Sequence, residues 1–248
     1  MYSMNEDFTV DKYQTILLKA KKRFRFITFR ELNLTGEISL WRHDVDFSPH
    51  RALALALMEA EEGVVSTYFF QVSSRFYNLF EPEITLIVRK IAALGHDIGL
   101  HFDPEVLEDG VSSDHESMLI LQANLLENIA NKKISVFSLH NPTTISGFAF
   151  DEPFYGSLLN ATHPSLREKF SYCSDSNGTW RFRPLEAMIL DEDITKLYVL
   201  THPEWWQVAA MAPRSRVQRC IEGRATFSLK YYDSLLSTNN RPNIRDDS

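Results

Sequence analysis

Five side chains suited to metal and proton chemistry stand at the ends of apolar runs. They are Asp44 and Asp46 in "SLWRHDVDFSP", His101 in "GLHFD", His140 in "SLHNP" and His202 in "LTHPEWW". Carboxylates and imidazoles brought together are costly to desolvate unless something binds them jointly, and a divalent cation with oxygen and nitrogen ligands does so. Beside such an ion, a carboxylate left out of the ligand set can serve as a general base and a protonated imidazole as a general acid. One histidine at a strand end has a plainer reading, that of a satisfied hydrogen-bonding group. His43, His50, His96, His115 and His163 are read that way. The set of five is singled out because separate segments would have to coincide.

Other residues near these runs carry two readings. Asp103 and Asp175 either cap the loops that follow them or support the site. Trp205 and Trp206 are either core at a helix start or platforms for a sugar ring. Arg183, in "RFRP", reads as a surface residue on frequency alone.

The elements that must position these groups alternate short apolar runs with longer amphipathic segments. "ISLWRHDVD" reads as a strand, followed by a helix with Ser48 as N-cap, Pro49 in the first turn and Gly63 as terminator. "VSTYFFQV", "HDIGLHFD", "KISVFSLHNP", "KFSYCSDS" and "LYVLTHP" are further strands, rich in aromatic and β-branched residues. Helices are expected over "EPEITLIVRKIAALG", "HESMLILQANLLENIAN" and "PRSRVQRCIEGRATFSLKYYDSLL", and an irregular region over about 143–166. Strand–helix alternation implies parallel strands joined by right-handed crossovers. Side chains two apart on a strand share a face, so Leu40, Arg42, Asp44 and Asp46 point one way. Trp41, His43 and Val45 point toward covering helices. Gly99, His101 and Asp103 share a face in the same manner. All the polar candidates then lie at strand carboxyl ends, the rim where parallel barrels carry out chemistry.

The 248 residues, 44% hydrophobic and 12% aromatic, suit a globular α/β chain with a large core, and no linker divides it. The expectation is one domain over 1–248, with a helical extension over 1–36 and a flexible tail over 237–248. Net charge is −7 and the one basic run, "KAKKRFR", fits a solvated helix end, so nucleic acid is excluded as the main partner. Cys173 and Cys220 form no CxxC pattern and read as reduced thiols. Neither a secretory signal nor a membrane span is visible, so the expected location is the cytoplasm. Phosphate-binding GxGxxG and GxxxxGK[ST] loops are missing.

The stretches "RHDVDFSPHRALAL", "STYFF", "ALGHDIGLHFD" and "YVLTHPEWW" resemble the NodB-like polysaccharide deacetylases of the carbohydrate esterase family 4 type, from about Glu37 to about Trp206. The resemblance implies an irregular parallel (β/α) barrel of about six to seven strands and removal of N- or O-acyl groups from sugars. It makes Asp44 the base, Asp46 and His101 metal ligands, and His202 the acid. Two departures stand out. The family's aspartates are adjacent, whereas Val45 separates Asp44 from Asp46. The family's second metal histidine, four residues after the first, is here Glu105. His140 is the preferred replacement ligand and Asp103 the alternative. Arg42, Asp103, Asp175, Arg183, Trp205 and Trp206 are the candidates for holding substrate, with Asp175 and Arg183 resembling later family motifs. Zinc suits imidazoles with a carboxylate. The expected reaction is deacylation of an amino sugar or sugar precursor, in a branch that resembles surface-polysaccharide biosynthesis members. Two other readings stay open: an inactive carbohydrate-binding or assembly subunit, and a metal-dependent hydrolase of a non-sugar amide.

Overall fold

The structure, a computed structural model, describes residues 8–107, 115–141 and 150–244. Helix α1 (Val10–Arg23) opens where the Thr9 hydroxyl accepts the Lys12 N–H at 3.2 Å, and its spacing buries Tyr13, Ile16, Leu17 and Ala20 on one face. Next come β1 (Arg25–Ile27) and β2 (Ile38–Val45), the latter buried at every residue. Helix α2 (Pro49–Glu61) is capped by Ser48, with Pro49 at its start and Gly63 in the left-handed region beyond its end, at φ +66°. Then follow β3 (Thr67–Phe70), α3 (Pro82–Ala93), β4 (Asp97–Phe102), α4 (His115–Ala130) and β5 (Val136–Leu139). The remaining elements are β6 (Phe154–Tyr155), β7 (Leu158–Asn160), α5 (Pro164–Lys169), β8 (Ser171–Ser176), β9 (Thr179–Trp180), α6 (Leu185–Ile189), β10 (Lys196–Thr201) and α7 (Pro213–Thr238).

The strands form one sheet in the order β6-β7-β5-β4-β3-β2-β10-β8-β9, with β1 also on β2. Every pairing is parallel except the two outer hairpins, β6–β7 and β8–β9. Along one edge of β2 the partner changes. Residues 38–40 pair with β1, and Arg42–Val45 pair with β3. The sheet is therefore ten-stranded, not six- to seven-stranded as expected. The strands missed in sequence, β1, β6, β7 and β9, have only two or three residues, too few to show an alternating pattern. Within the segment over 1–36, expected as a helical extension, residues 8–36 contribute the packed helix α1 and the strand β1 to the main body, and 1–7 lie outside the described residues. The expected irregular region holds the β6–β7 hairpin, and its residues 142–149 lie outside the described residues, as do 245–248 of the expected tail.

Among the described residues β7 and β8 do not pair, so the ladder stays open, yet the sheet curls until its inner face is packed against itself. Leu40, Phe69, Val136 and Tyr198, from four different strands, share one buried cluster. The Tyr198 hydroxyl donates to the Ala161 carbonyl at 2.9 Å, bridging β10 to the end of β7. Gly99 is required at its place: a Cβ there would come within 2.5 Å of the Phe69 ring. Outside the sheet, Tyr68, Phe70, Ile98 and Leu100 pack under α2, α3 and α4, while Trp41, Leu197 and Val199 pack under α1 and α6. Among the described residues no helix is long and apolar enough to cross a membrane.

Candidate metal centre and its cavity

Five adjacent parallel strands, β5, β4, β3, β2 and β10, each deliver a polar side chain at or just past the carboxyl end. These are His140, His101, Gln71, Asp46 with Asp44, and His202. The pleat explains the delivery. Arg42 and Asp44 point inward from β2, whereas His43 points outward to Glu59 on α2. The His140 N–H donates to the Phe102 carbonyl at 2.8 Å, which carries the β4–β5 pairing one residue further and anchors the backbone of His140.

Asp46, His101 and His140 present one ligand atom each, all within 4.8 Å of one another. Asp46 Oδ1 lies 3.2 Å from His101 Nε2 and 3.4 Å from His140 Nδ1, and the two ring nitrogens are 3.2 Å apart. The far nitrogen of His101 is held by Ser138 Oγ at 2.7 Å, leaving Nε2 to face the cluster. The Gln71 amide reaches both Asp46 Oδ1 (3.0 Å) and His140 Nδ1 (3.1 Å). Burial pushes the Asp46 carboxyl up, but the hydrogen bonds of His101 and His140 outweigh it and hold the group well below the usual range. His140 is drawn down by burial and up by Asp46, and ends above its ordinary value. One carboxylate oxygen and two imidazole nitrogens at the floor of an open cavity form a donor set that fits a divalent ion such as zinc.

Asp44 and His202 flank this set. Arg42 grips Asp44 with a two-point fork, Nε to Oδ1 at 2.7 Å and Nη2 to Oδ2 at 2.5 Å, and donates to the Tyr198 hydroxyl at 3.0 Å. Burial raises the Asp44 carboxyl, and the charges of Arg42 and His101 bring it below its ordinary value. Each Asp44 oxygen keeps a lone pair, and Oδ2 lies 3.7 Å from His101 Nε2. His202 Nε2 lies 3.7 Å from Asp46 Oδ2, while its Nδ1 is bound to Asp175 Oδ1. The other Asp175 oxygen accepts the His202 N–H at 3.0 Å and the Thr201 hydroxyl at 2.6 Å. Burial lowers His202, but the Asp175 charge overrides it and the imidazolium is favoured well above the usual histidine range.

The cavity above these groups has a volume of about 880 Å³, near the upper end of the roughly 300–1,000 Å³ usual for small-molecule sites. Of the residues named as substrate candidates, Arg42, Asp103, Asp175 and Trp205 line it. Asp103 also accepts the Glu105 N–H at 3.1 Å, so it caps the turn and stands outside the ligand cluster. Glu105, at the place of the family's second histidine, pairs with Arg75 at 2.9 Å. Two candidates fall elsewhere. Arg183 lies on the surface, bound to Asp191 at 2.8 Å, because the β8–β9 hairpin carries it past the rim. Trp206 is fully buried against Phe8 and Tyr13 and donates to Thr201, which fixes the Thr201–Asp175–His202 chain from behind.

Sequence reasoning missed Gln71, Ser138 and Glu204. Gln71 follows β3 as His202 follows β10, so the strand-end rule that found the histidines also covers it. Ser138 precedes His140 by two residues and shares its face. Glu204 is buried with neither carboxylate oxygen partnered among the described residues. Burial, then the Asp46 charge, pushes it well above the ordinary range.

No protein-family model and no curated protein matches the chain. Solved structures similar to it include a carbohydrate esterase family 4 pseudoenzyme from Bacillus anthracis, at 12% identity over 76% of this chain and TM-score 0.42. The chain spans 62% of that protein's length. A family 4 carbohydrate esterase from the same organism is 10% identical over 86% of each chain, with TM-score 0.42. The chitin deacetylase of the fungal pathogen Colletotrichum lindemuthianum is 13% identical, over 76% of this chain and 83% of its own, with TM-score 0.42. At that level of likeness neither activity nor ligand passes from those proteins to this chain.

Proposed function

We propose that this protein is a metal-dependent hydrolase that removes an N-acyl group, acetyl or formyl, from an amino sugar or sugar precursor. The observation that carries the reading is the convergence of Asp46, His101 and His140, with Asp44 and His202 on either side, at the floor of one cavity. Asp46, His101 and His140 would hold the ion, zinc by the chemistry of the donors. When bound, such an ion supplies a Lewis acid that acidifies a water and polarises an acyl carbonyl.

The chain's own residues supply the proton transfers. Asp44 stays ionised because Arg42 stabilises its charge, and its free lone pairs accept the proton of the attacking water. His202, kept protonated by Asp175, gives its proton to the departing amine, which is a poor leaving group without one. The hydroxyl and amide groups of Ser174, Ser176 and Asn177 on the cavity wall suit a hydroxyl-rich sugar, and Trp205 offers a ring edge beside His202. The surface-polysaccharide setting rests on the sequence resemblance alone, and the cytoplasmic location on the sequence reading alone.

The test is metal content of the purified chain by elemental analysis, followed by acetate and formate release from N-acylated amino sugars. About one ion per chain with acyl release is the expected result. A bound ion with no release would leave the carbohydrate-binding subunit as the better reading, and no retained ion would sink the hydrolase.

A further inference from the structure

The cavity has two walls that differ in charge compensation. Every lining carboxylate has a partner: Asp44 has Arg42, Asp46 has two imidazoles, Glu105 has Arg75, Asp103 accepts a backbone N–H, and Asp175, on β8 itself, has His202. Across the cavity, two more arginines line the wall built on β8, and neither has a carboxylate partner among the described residues. The Arg167 guanidinium, though exposed, lies 4.4 Å over the Tyr172 ring, which places it beside β8. The Arg181 backbone N–H donates to the Ser174 carbonyl at 2.9 Å, which seats its backbone against the same strand two residues further along, and its guanidinium lies 5.5 Å over the Phe182 ring at the cavity wall. Between them the inward residues of β8, Tyr172, Ser174 and Ser176, line the cavity.

We infer that this wall is an anion subsite, and that the substrate is a negatively charged amino sugar. Its phosphate or carboxylate sits between Arg167 and Arg181 while its acylamino group faces Asp46, His101 and His140. The reason is electrostatic. In a chain of net charge −7, a cavity for a neutral glycan gains nothing from two uncompensated guanidiniums on its wall. Paired with an oxyanion, the same two groups give short, charge-assisted and two-point contacts that fix the sugar's orientation. The inference takes from the proposed function only the premise that the ligand is an acylated amino sugar.

The test uses the full, metal-reconstituted chain and three sugars: N-acetylglucosamine 1-phosphate, N-acetylated aminouronic acid and the uncharged N-acetylglucosamine trimer. Equilibrium binding by calorimetry is read beside acetate release. At least one charged sugar should bind about tenfold or more tighter than the trimer, and which one does so separates phosphate from carboxylate. The Arg167→Gln/Arg181→Gln double variant should abolish that preference, and Arg181→Lys should keep part of it. Rising salt should shrink the preference, since both arginines are exposed. Equal binding of all three sugars, binding of none, or a preference that survives the double variant would overturn the inference. Selective binding of a charged sugar without acetate release would sink the deacylase and leave the anion subsite standing. Acetate release from all three alike would do the opposite.

Discussion

Strand β2 carries two clusters of carboxylate and imidazole groups, one on each face, and they differ in what they lack. On the outer face, Glu59 accepts from Tyr68 (2.7 Å), meets His43 Nε2 (2.7 Å), and is bound by Tyr13, with His96 Nδ1 at 3.7 Å. His43 and Glu59 are 0% exposed, and each Glu59 oxygen meets a protein donor, while His43 Nδ1 is buried without a partner among the described residues. On the inner face, Asp46, His101 and His140 bring one ligand atom each to 3.2–3.4 Å of one another at the wall of the cavity. Similar residue types thus make a buried network around one carboxylate on one side and a candidate ligand set facing a cavity on the other. A buried polar network is satisfied when donors match acceptors, and the ligand atoms of the inner set fit a divalent ion in that role.

The largest expected effect breaks the inner cluster without touching the outer one. His140→Ala should lose the bound metal and with it turnover, read by elemental analysis, whereas Asp103→Ala should keep the ion. Asp44→Asn should retain the metal and lower kcat by about 10²–10⁴. Loss of both would move Asp44 into the ligand shell. Next in size, Glu59→Ala should cost about 3–5 kcal/mol of stability by urea unfolding, because it strands a buried network, while the remaining folded protein stays active. Inner-cluster variants should fall well short of that loss in metal-free protein.

The pH responses sharpen the same contrast. Glu59 is buried, and the charge and hydrogen bond of His43 bring it from 4.5 to about 2. A carboxyl with a depressed folded pKa stabilises fully above its unfolded value, and that share of stability is lost as pH falls from 4.5 to about 2. Glu59→Gln should flatten the acid limb of a stability–pH profile, and an unchanged limb would count against the network. His202 acts in the other direction. Its pKa is raised, so the acid form persists above pH 6.5 and kcat should fall only as pH rises through the raised value. Asp175→Asn should move that alkaline limb downward with about a tenfold loss of kcat. The smallest effect on turnover is expected of Ser138→Ala, which frees His101 Nδ1 and should leave kcat at saturating metal nearly unchanged while weakening metal affinity by roughly 10–100-fold.

Much of this arrangement is legible in the chain. The apolar runs, Ser48 and Pro49 at a helix start, and the two-residue period of β2 place Asp44 and Asp46 inward and His43 outward, because a strand's pleat is a local property. The rule that parallel strands end in polar residues locates His101, His140 and His202, since those positions follow directly from strand boundaries. The short strands β1, β6, β7 and β9 were not legible, because two or three residues carry no period.

What the chain could not decide is which neighbours meet. Strand order sets His140 rather than Asp103 beside Asp46, as β5 and β4 end side by side while the cap on Glu105 turns Asp103 away. The same long-range packing sends Arg183 to the surface, brings Arg167 and Arg181 to the cavity, and seats Trp206 behind Thr201. Composition and local periodicity determine a strand's faces and its ends. The distance between side chains from strands separated by tens of residues depends on sheet order and curl, which only the folded structure supplies.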